Sequence, residues 1–143
     1  LDEGLVGDHT DGHVDNIARF AAPGVVVCQA PAGREDPNAK ILTRIRRDLA
    51  RATDARGRRL RVATIPSPGR VESTEGGPAP ASHMNWIVGP ETVVMPGYNA
   101  RAQDAARALQ GVFAGRRVAV SASRAILAGG GSFHCVTCNQ PAL

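Results

Sequence analysis

Hydrophobic and polar positions change their spacing in a regular order along the first half of the chain. Residues 13–20 (HVDNIARF) alternate as in a half-buried strand, and residues 24–30 (GVVVCQA) form a continuous apolar run typical of a buried strand. Residues 36–53 have the spacing of an amphipathic helix, and residues 58–66 (RRLRVATIP) predict a further strand. The predicted order is therefore strand, strand, helix, strand.

Local signals mark where the first helix begins and where the first unit ends. Asp36 is predicted as the N-cap, because it directly precedes Pro37, which suits the first helical position. Residues 66–80 are rich in Pro, Gly, Ser and Glu, which predicts a surface loop.

The same order of elements returns after the loop. Residues 81–89 (ASHMNWIVG) and 91–97 (ETVVMPG) predict a hairpin, residues 100–113 a helix and residues 116–122 a closing strand. A further strand is predicted at residues 132–138 (SFHCVTC). We expect an α/β fold built of repeated ββαβ units, although the two units share almost no sequence identity.

This pattern predicts one domain, residues 1–143, with units at 12–66 and 81–122 and the start of a third at 131–143. Polar residues without an obvious structural role lie in the predicted first strand of each unit. They are His13, Asp15, Asn85 and Cys135. A propeller with these strands innermost would bring the four side chains into one pocket.

Composition and charge exclude several classes of protein. The net charge of +4 and the pI of about 9.6 are compatible with nucleic-acid binding. However, Arg44, Arg47 and Arg51 lie on one predicted helix face, which is expected to be solvated. Aromatic residues make up only 3% of the chain, too few for a base-stacking surface, so we expect no nucleic-acid partner. No apolar stretch is long enough to span a membrane. Three cysteines, an odd number, argue against a disulfide scaffold and favour a reducing cytoplasm.

His13 and Asp15 are spaced so that a strand would place both on one face, as a base and a carboxylate acting together require. Cys135 follows His134 and a run of three glycines, surroundings that suit a thiolate near a cation. Cys28, within an apolar run, is predicted to be a buried, inert thiol. The residues alone thus favour a cysteine nucleophile with a histidine acid/base and an orienting carboxylate.

Other chemistry stays open at this point. A metal-dependent hydrolase would use Asp8, His9, Asp11, His13 and Asp15, whose side chains are good metal ligands. A redox or disulfide pair of Cys135 and Cys138 is disfavoured, because residues three apart in a strand point to opposite faces. A binding module without turnover is the third alternative.

Four segments then resemble a known family in their order and spacing. They are TDGHVDNIARF (10–20), PASHMNWIV (80–88), VVMPGYNARAQDAARALQGVF (93–113) and GGGSFHCVTCNQP (129–141). Together they are similar to the agmatine deiminase and bacterial-type peptidylarginine deiminase family. That family consists of guanidine-modifying enzymes with the pentein fold, a propeller of five α/β units. The resemblance implies that this chain is a C-terminal portion with about two and a half of the five units.

The resemblance also implies roles for the matching residues. His13 would be the general acid/base, Asp15 the carboxylate that binds the substrate guanidinium, and Cys135 the nucleophile. Asn85, Gly130 and Gly131 would take part in substrate binding. No metal or organic cofactor is implied, and the small-molecule partner would be a guanidine, with agmatine ahead of peptidyl-arginine.

The chain departs from the family pattern at two places. His83 stands where a tyrosine is common, and Cys138-Asn139 follow Thr137 where two glutamines are common. Both departures are expected to alter the pocket wall and leave the nucleophile intact. We further expect the isolated chain to be inactive and prone to form homo-oligomers, because missing units would leave strand edges and apolar faces uncovered.

Overall fold

The computed structural model describes residues 1, 3–10 and 12–138. A short 3₁₀ turn, Val14–Asn16, precedes the first strand. The strands and helices follow in the order β1 (Ala18–Ala22), β2 (Val25–Ala30), α1 (Ala39–Arg51), β3 (Arg61–Pro66), β4 (Ile87–Val88), β5 (Thr92–Gly97), α2 (Arg101–Gln110), β6 (Arg117–Ala122) and α3 (Arg124–Leu127).

Two three-stranded sheets of the same topology form the framework of the described residues. In the first, β1 pairs antiparallel with β2, and β2 pairs parallel with β3; β4, β5 and β6 repeat this arrangement. The registers also match, since Val25 lies opposite Arg61 and Thr92 opposite Arg117. The predicted ββαβ order is therefore confirmed for both units, as a mixed α/β fold.

The first sheet is covered by a helix on each face. Val26 and Cys28 of β2 pack with Leu42 and Ile45 of α1, whereas Val27 packs in the cluster that includes α2. This explains why β2 is a continuous apolar run, since a strand buried on both faces has no solvent side.

Helix α2 joins the two units, because it packs on β3 of the first and on β6 of the second. Their shared core is centred on the fully buried Trp86, whose ring meets Phe113 edge-on at a centroid distance of 6.0 Å. Burying one such side chain stabilises a fold by roughly 2–3 kcal/mol. None of the described helices is long and apolar enough to cross a lipid bilayer.

Three of the predicted strands are wrong in whole or in part. The predicted strand 13–20 starts only at Ala18 and is preceded by the 3₁₀ turn, and the predicted strand 81–89 is reduced to Ile87–Val88. Residues 132–138 form a turn, with the amide of Thr137 donating to the carbonyl of His134. In all three places, hydrogen bonds of asparagine and serine side chains replace strand ladders.

The start of the first helix also differs from the prediction. Helix α1 begins at Ala39 with Asn38 at its N-cap, two residues after the predicted cap. The carboxylate of Asp36 instead accepts the backbone amides of Ala32 and Asn38, each at 2.9 Å, and the hydroxyl of Ser67. Asp36 therefore fixes the turn between β2 and α1.

Candidate active site

The buried side chain of Asn85 connects the three segments that form the candidate site. Its amide nitrogen donates to Asp15 Oδ2 at 3.0 Å and to Asn16 Oδ1 at 2.9 Å, and lies 3.1 Å from the sulfur of Cys135. Its oxygen accepts the backbone amides of His134 at 2.9 Å and Cys135 at 3.3 Å. One amide side chain thus sets the relative position of the carboxylate and the thiol.

Asp15 lies beside both the thiol and an imidazole. Its Oδ2 is 2.7 Å from Nδ1 of His134 and 3.6 Å from the sulfur of Cys135. Burial raises the pKa of Asp15, but the hydrogen bond and charge of His134, with hydrogen bonds from Cys135 and Asn85, lower it. The net direction of the pKa is below the ordinary value, so Asp15 is a carboxylate at neutral pH.

Cys135 is exposed in the turn at 133–136, with Gly131 directly behind it. A Cβ at Gly131 would lie 2.8 Å from both Cβ and Sγ of Cys135, closer than real atoms approach. Gly130 has a φ of +91°, and a Cβ there would overlap the ring of His9. Both glycines leave room for protein side chains; their predicted part in substrate binding stays a prediction.

His13 and Asp15 do not lie in a strand, so the basis for predicting that they share a face is absent. His13 is exposed at the start of the 3₁₀ turn, and its side chain makes no hydrogen bond to any other described residue. Val14–Asn16 turns where the prediction had an extended strand, so the alternation of side chains is lost. The structure therefore brings together Asp15, Asn85 and Cys135, and it leaves His13 apart from their hydrogen bonds.

Arg19 is a functional neighbour that the sequence reasoning missed. Its guanidinium lies over the ring of Trp86, 5.0 Å from the centroid, and donates to the carbonyls of Met84, at 3.3 Å, and Trp86. Those carbonyls flank Asn85 in the chain. Burial lowers the pKa of Arg19, while the negative charges of Asp15 and Cys135 raise it. Arg19 thus places a positive charge behind the site and fixes the segment that carries Asn85.

The sequence indicates His134 only as a cation next to Cys135. In the structure its ring bonds directly to Asp15. Asn16 was not singled out, although its buried side chain accepts from Asn85. The sequence signal for both was adjacency to a candidate residue. Adjacency in the sequence does not indicate that the ring of His134 bonds to Asp15, 119 positions away along the chain.

The three cysteines are free thiols in different surroundings. Cys28 is buried, as predicted, and burial raises its pKa to about 11. Cys135 and Cys138 are exposed. They form no disulfide, as expected, but the predicted strand that would put them on opposite faces is wrong, because residues 133–136 are a turn.

Outside Asp2, Asp11 and residues 139–143, no group of three His, Cys, Asp or Glu side chains is arranged to hold a metal ion. Asp11 and Asn139 lie outside the described residues.

His83 is fully buried, stacks on Tyr98 at 5.9 Å between ring centroids, and contacts the carbonyl of Pro66 through Nδ1 at 2.9 Å. Burial lowers the pKa of His83, which makes it a neutral core residue.

Comparison with known proteins supplies the family. Residues 1–141 match the model of Porphyromonas-type peptidyl-arginine deiminase. The chain is 36% identical to the agmatine deiminase of Ectopseudomonas mendocina, over 99% of this chain and 44% of that protein. The corresponding enzyme of Pseudomonas aeruginosa is 34% identical over the same shares.

A solved structure agrees with these relatives. The agmatine deiminase of Enterococcus faecalis superposes with a TM-score of 0.84 at 26% identity, over 92% of this chain and 41% of that one. The chain spans about two fifths of the length of the curated relatives it matches, between 41% and 44%.

Proposed function

Because the chain belongs to the Porphyromonas-type peptidyl-arginine deiminase family, we propose that the protein carrying it hydrolyses a guanidine. Agmatine is the first candidate substrate, since several relatives of 34–36% identity are named agmatine deiminases. The products would be N-carbamoylputrescine and ammonia, which would serve putrescine synthesis in the cytoplasm.

The observation that carries this proposal is the position of Asp15 beside Cys135. A guanidinium is planar and cationic, and a carboxylate can accept two of its N–H groups in a fork. Because the sulfur of Cys135 lies 3.6 Å from Asp15 Oδ2, a guanidinium on that carboxylate would have its central carbon near the thiol. Binding and nucleophilic attack would then occur at one place.

The proposed reaction has two halves. The thiolate of Cys135 attacks the central carbon, and the tetrahedral intermediate loses ammonia after a proton reaches the leaving nitrogen. This leaves an S-alkylthiouronium on Cys135. Water then attacks the same carbon, gives up a proton, and the C–S bond breaks to release a ureido product and the free thiol.

We assign the two proton transfers to His13, following the family resemblance. His13 is exposed and two residues from Asp15, so its ring is accessible to a bound ligand. Arg19 adds a positive charge near the reacting groups, because its guanidinium interacts with the charges of Asp15 and Cys135.

The test is a ureido-product assay on the complete protein with agmatine, free arginine and an arginine peptide. We expect agmatine turnover to fall at least about 1,000-fold in Cys135→Ala, because the bond-forming atom is lost. Cys138→Ala is the matched control, an exposed thiol three residues away that should keep turnover within about threefold.

Retention of turnover in Cys135→Ala would refute the proposed nucleophile. Preference for the arginine peptide would favour peptidyl-arginine deimination, the activity for which the matching family is named. Absence of turnover with all three guanidines would overturn the proposal, and bound metal with activity lost to a chelator would support the metal-dependent alternative.

A further inference from the structure

The imidazole of His134 occupies a position on Asp15 that the proposed substrate needs. Nδ1 of His134 is 2.7 Å from Asp15 Oδ2, and the same oxygen accepts the amide of Asn85. The other oxygen, Oδ1, has no hydrogen-bond partner among the residues that the structure describes. A guanidinium fork requires both oxygens of the carboxylate.

We propose that His134 is an internal competitor for the guanidinium site on Asp15, so that its protonated ring weakens substrate binding. This inference rests on the proposed function, because it concerns the same carboxylate. An imidazolium and a guanidinium are both cationic donors, and Oδ2 has two lone pairs, one of which already accepts the amide of Asn85. The other lone pair can therefore accept only one of the two cations. Substrate binding would therefore require the His134 ring to turn away.

The local structure permits that movement of the ring. His134 is held in its turn by its backbone amide, which donates to the side-chain oxygen of Asn85 at 2.9 Å. Its side chain keeps 33% of its surface exposed, against 16% for Asp15. Rotation of the ring toward solvent would leave the backbone bonds to Asn85, and hence the position of Cys135, intact.

The charges around this pair determine the sign of the pH dependence. Cys135 faces Asp15 from the same turn as His134, and Arg19 acts on both Asp15 and Cys135 from β1. His13 precedes the 3₁₀ turn that carries Asp15, and Tyr98 interacts with the charge of Cys135. Among these groups, the histidines are the side chains that ordinarily change charge between pH 5 and 8.

A protonated His134 ring is a cation that pairs with Asp15 at 2.7 Å, and it weakens guanidinium binding. A neutral ring carries no charge to compete with the guanidinium, and histidine rings lose their proton toward the alkaline end of the interval between pH 5 and 8. Arg19 stays charged over this pH range, so its effect on guanidinium binding does not change with pH. Affinity for a guanidinium should therefore increase with pH across this interval.

The experiment measures the binding of agmatine to the complete protein in a Cys135→Ser background, which prevents turnover. With His134 present, we expect binding about tenfold tighter at pH 8 than at pH 5.5, a difference of about 1.4 kcal/mol. In His134→Gln the two affinities should agree within about threefold, with binding at pH 5.5 tighter than in the His134 protein. His9→Gln is the matched control, because His9 is also an exposed histidine but packs on Gly130. This variant should keep the tenfold difference in agmatine affinity between pH 5.5 and pH 8.

If the dependence of agmatine affinity on pH is unchanged in His134→Gln, this inference is overturned and the proposed function stands. Absence of binding by agmatine, arginine and an arginine peptide in every variant would overturn the proposed function itself.

Turnover with Cys135 intact gives a second, independent readout. His134→Gln should lower KM at pH 6 and change kcat by less than about threefold, as expected of a group that competes with substrate. A loss of kcat of about 100-fold or more would instead make His134 a proton-transfer group and contradict the inference.

Discussion

Individual side chains of this site depend on Asn85 for their positions. Its amide donates to Asp15 and Asn16 and lies beside the sulfur of Cys135, while its oxygen accepts two backbone amides. A buried amide with several partners is costly to replace, because each lost partner leaves an unsatisfied polar group. The position of the Cys135 thiol is therefore decided by a residue 50 positions upstream.

Gly131 provides the sharpest test at this scale. In Gly131→Ala the added Cβ would lie 2.8 Å from Cβ and Sγ of Cys135, so the thiol must leave its present position beside Asp15. We expect turnover, and the rate of Cys135 alkylation, to fall by about tenfold or more, since misplacement by about an ångström can cost 100-fold.

Gly115→Ala is the matched control for that variant. A Cβ added at Gly115 would meet no atom within 4 Å, so turnover should stay within about twofold of the parent protein. Equal activity of the two alanine variants would show that Gly131 has no part in placing the thiol.

At the scale of elements, the site is built from turns that side chains stabilise. The 3₁₀ turn Val14–Asn16 and the turn at 133–136 meet through Asn85. Strand β1 contributes Arg19, which reaches across to the carbonyls on either side of Asn85. The two units are thus joined by a charged side chain as well as by helix α2.

Replacement of Arg19 by methionine should destabilise this junction. Two carbonyl acceptors would lose a charged donor, and the cation–π contact with Trp86 would be lost. We expect the free energy of unfolding, measured by urea denaturation, to fall by about 2 kcal/mol. Arg19→Lys should recover only part of it, because lysine has no planar fork.

Arg61→Met is the control for charge removal alone. Arg61 is exposed on β3, and its substitution should change the free energy of unfolding by less than about 0.5 kcal/mol. A loss for Arg19→Met as small as that for Arg61→Met would contradict the junction role.

At the scale of the whole molecule, three large apolar side chains of the described residues are well exposed. Val14 and Val136, next to the site in sequence, are 60% and 66% exposed, and Phe20 on the edge strand β1 is 65% exposed. Val14 and Val136 belong to the two turns that meet through Asn85, where a further segment of a longer protein could cover them. This agrees with a chain that spans about two fifths of its relatives' length.

Residues 1–143 alone are therefore expected to be inactive or nearly so. Agmatine turnover by this segment should be at least about 1,000-fold below that of the complete protein, because His13 and Cys135 are exposed to water in the segment alone. Light scattering should at the same time detect self-association of the segment. Turnover close to that of the complete protein would refute this prediction.

The amino-acid sequence by itself determined the framework of this protein. Hydrophobic spacing is a local property, so it predicted the order of two ββαβ units, the buried Cys28 and an amphipathic helix at α1. The motifs around Asp15, Asn85 and Cys135 indicated the family, which the comparisons confirm. These results required only residue types at short spacing.

Only the tertiary structure decided which side chains meet. Residues 14–16 and 133–136 are turns because Asn16, Asn85 and Asp15 bond to partners far along the chain, and local spacing has no access to such partners. The same long-range bonds bring His134 to Asp15 and leave His13 exposed. Periodicity fixes which face of an element is buried, whereas the pairing of polar groups depends on how the elements pack.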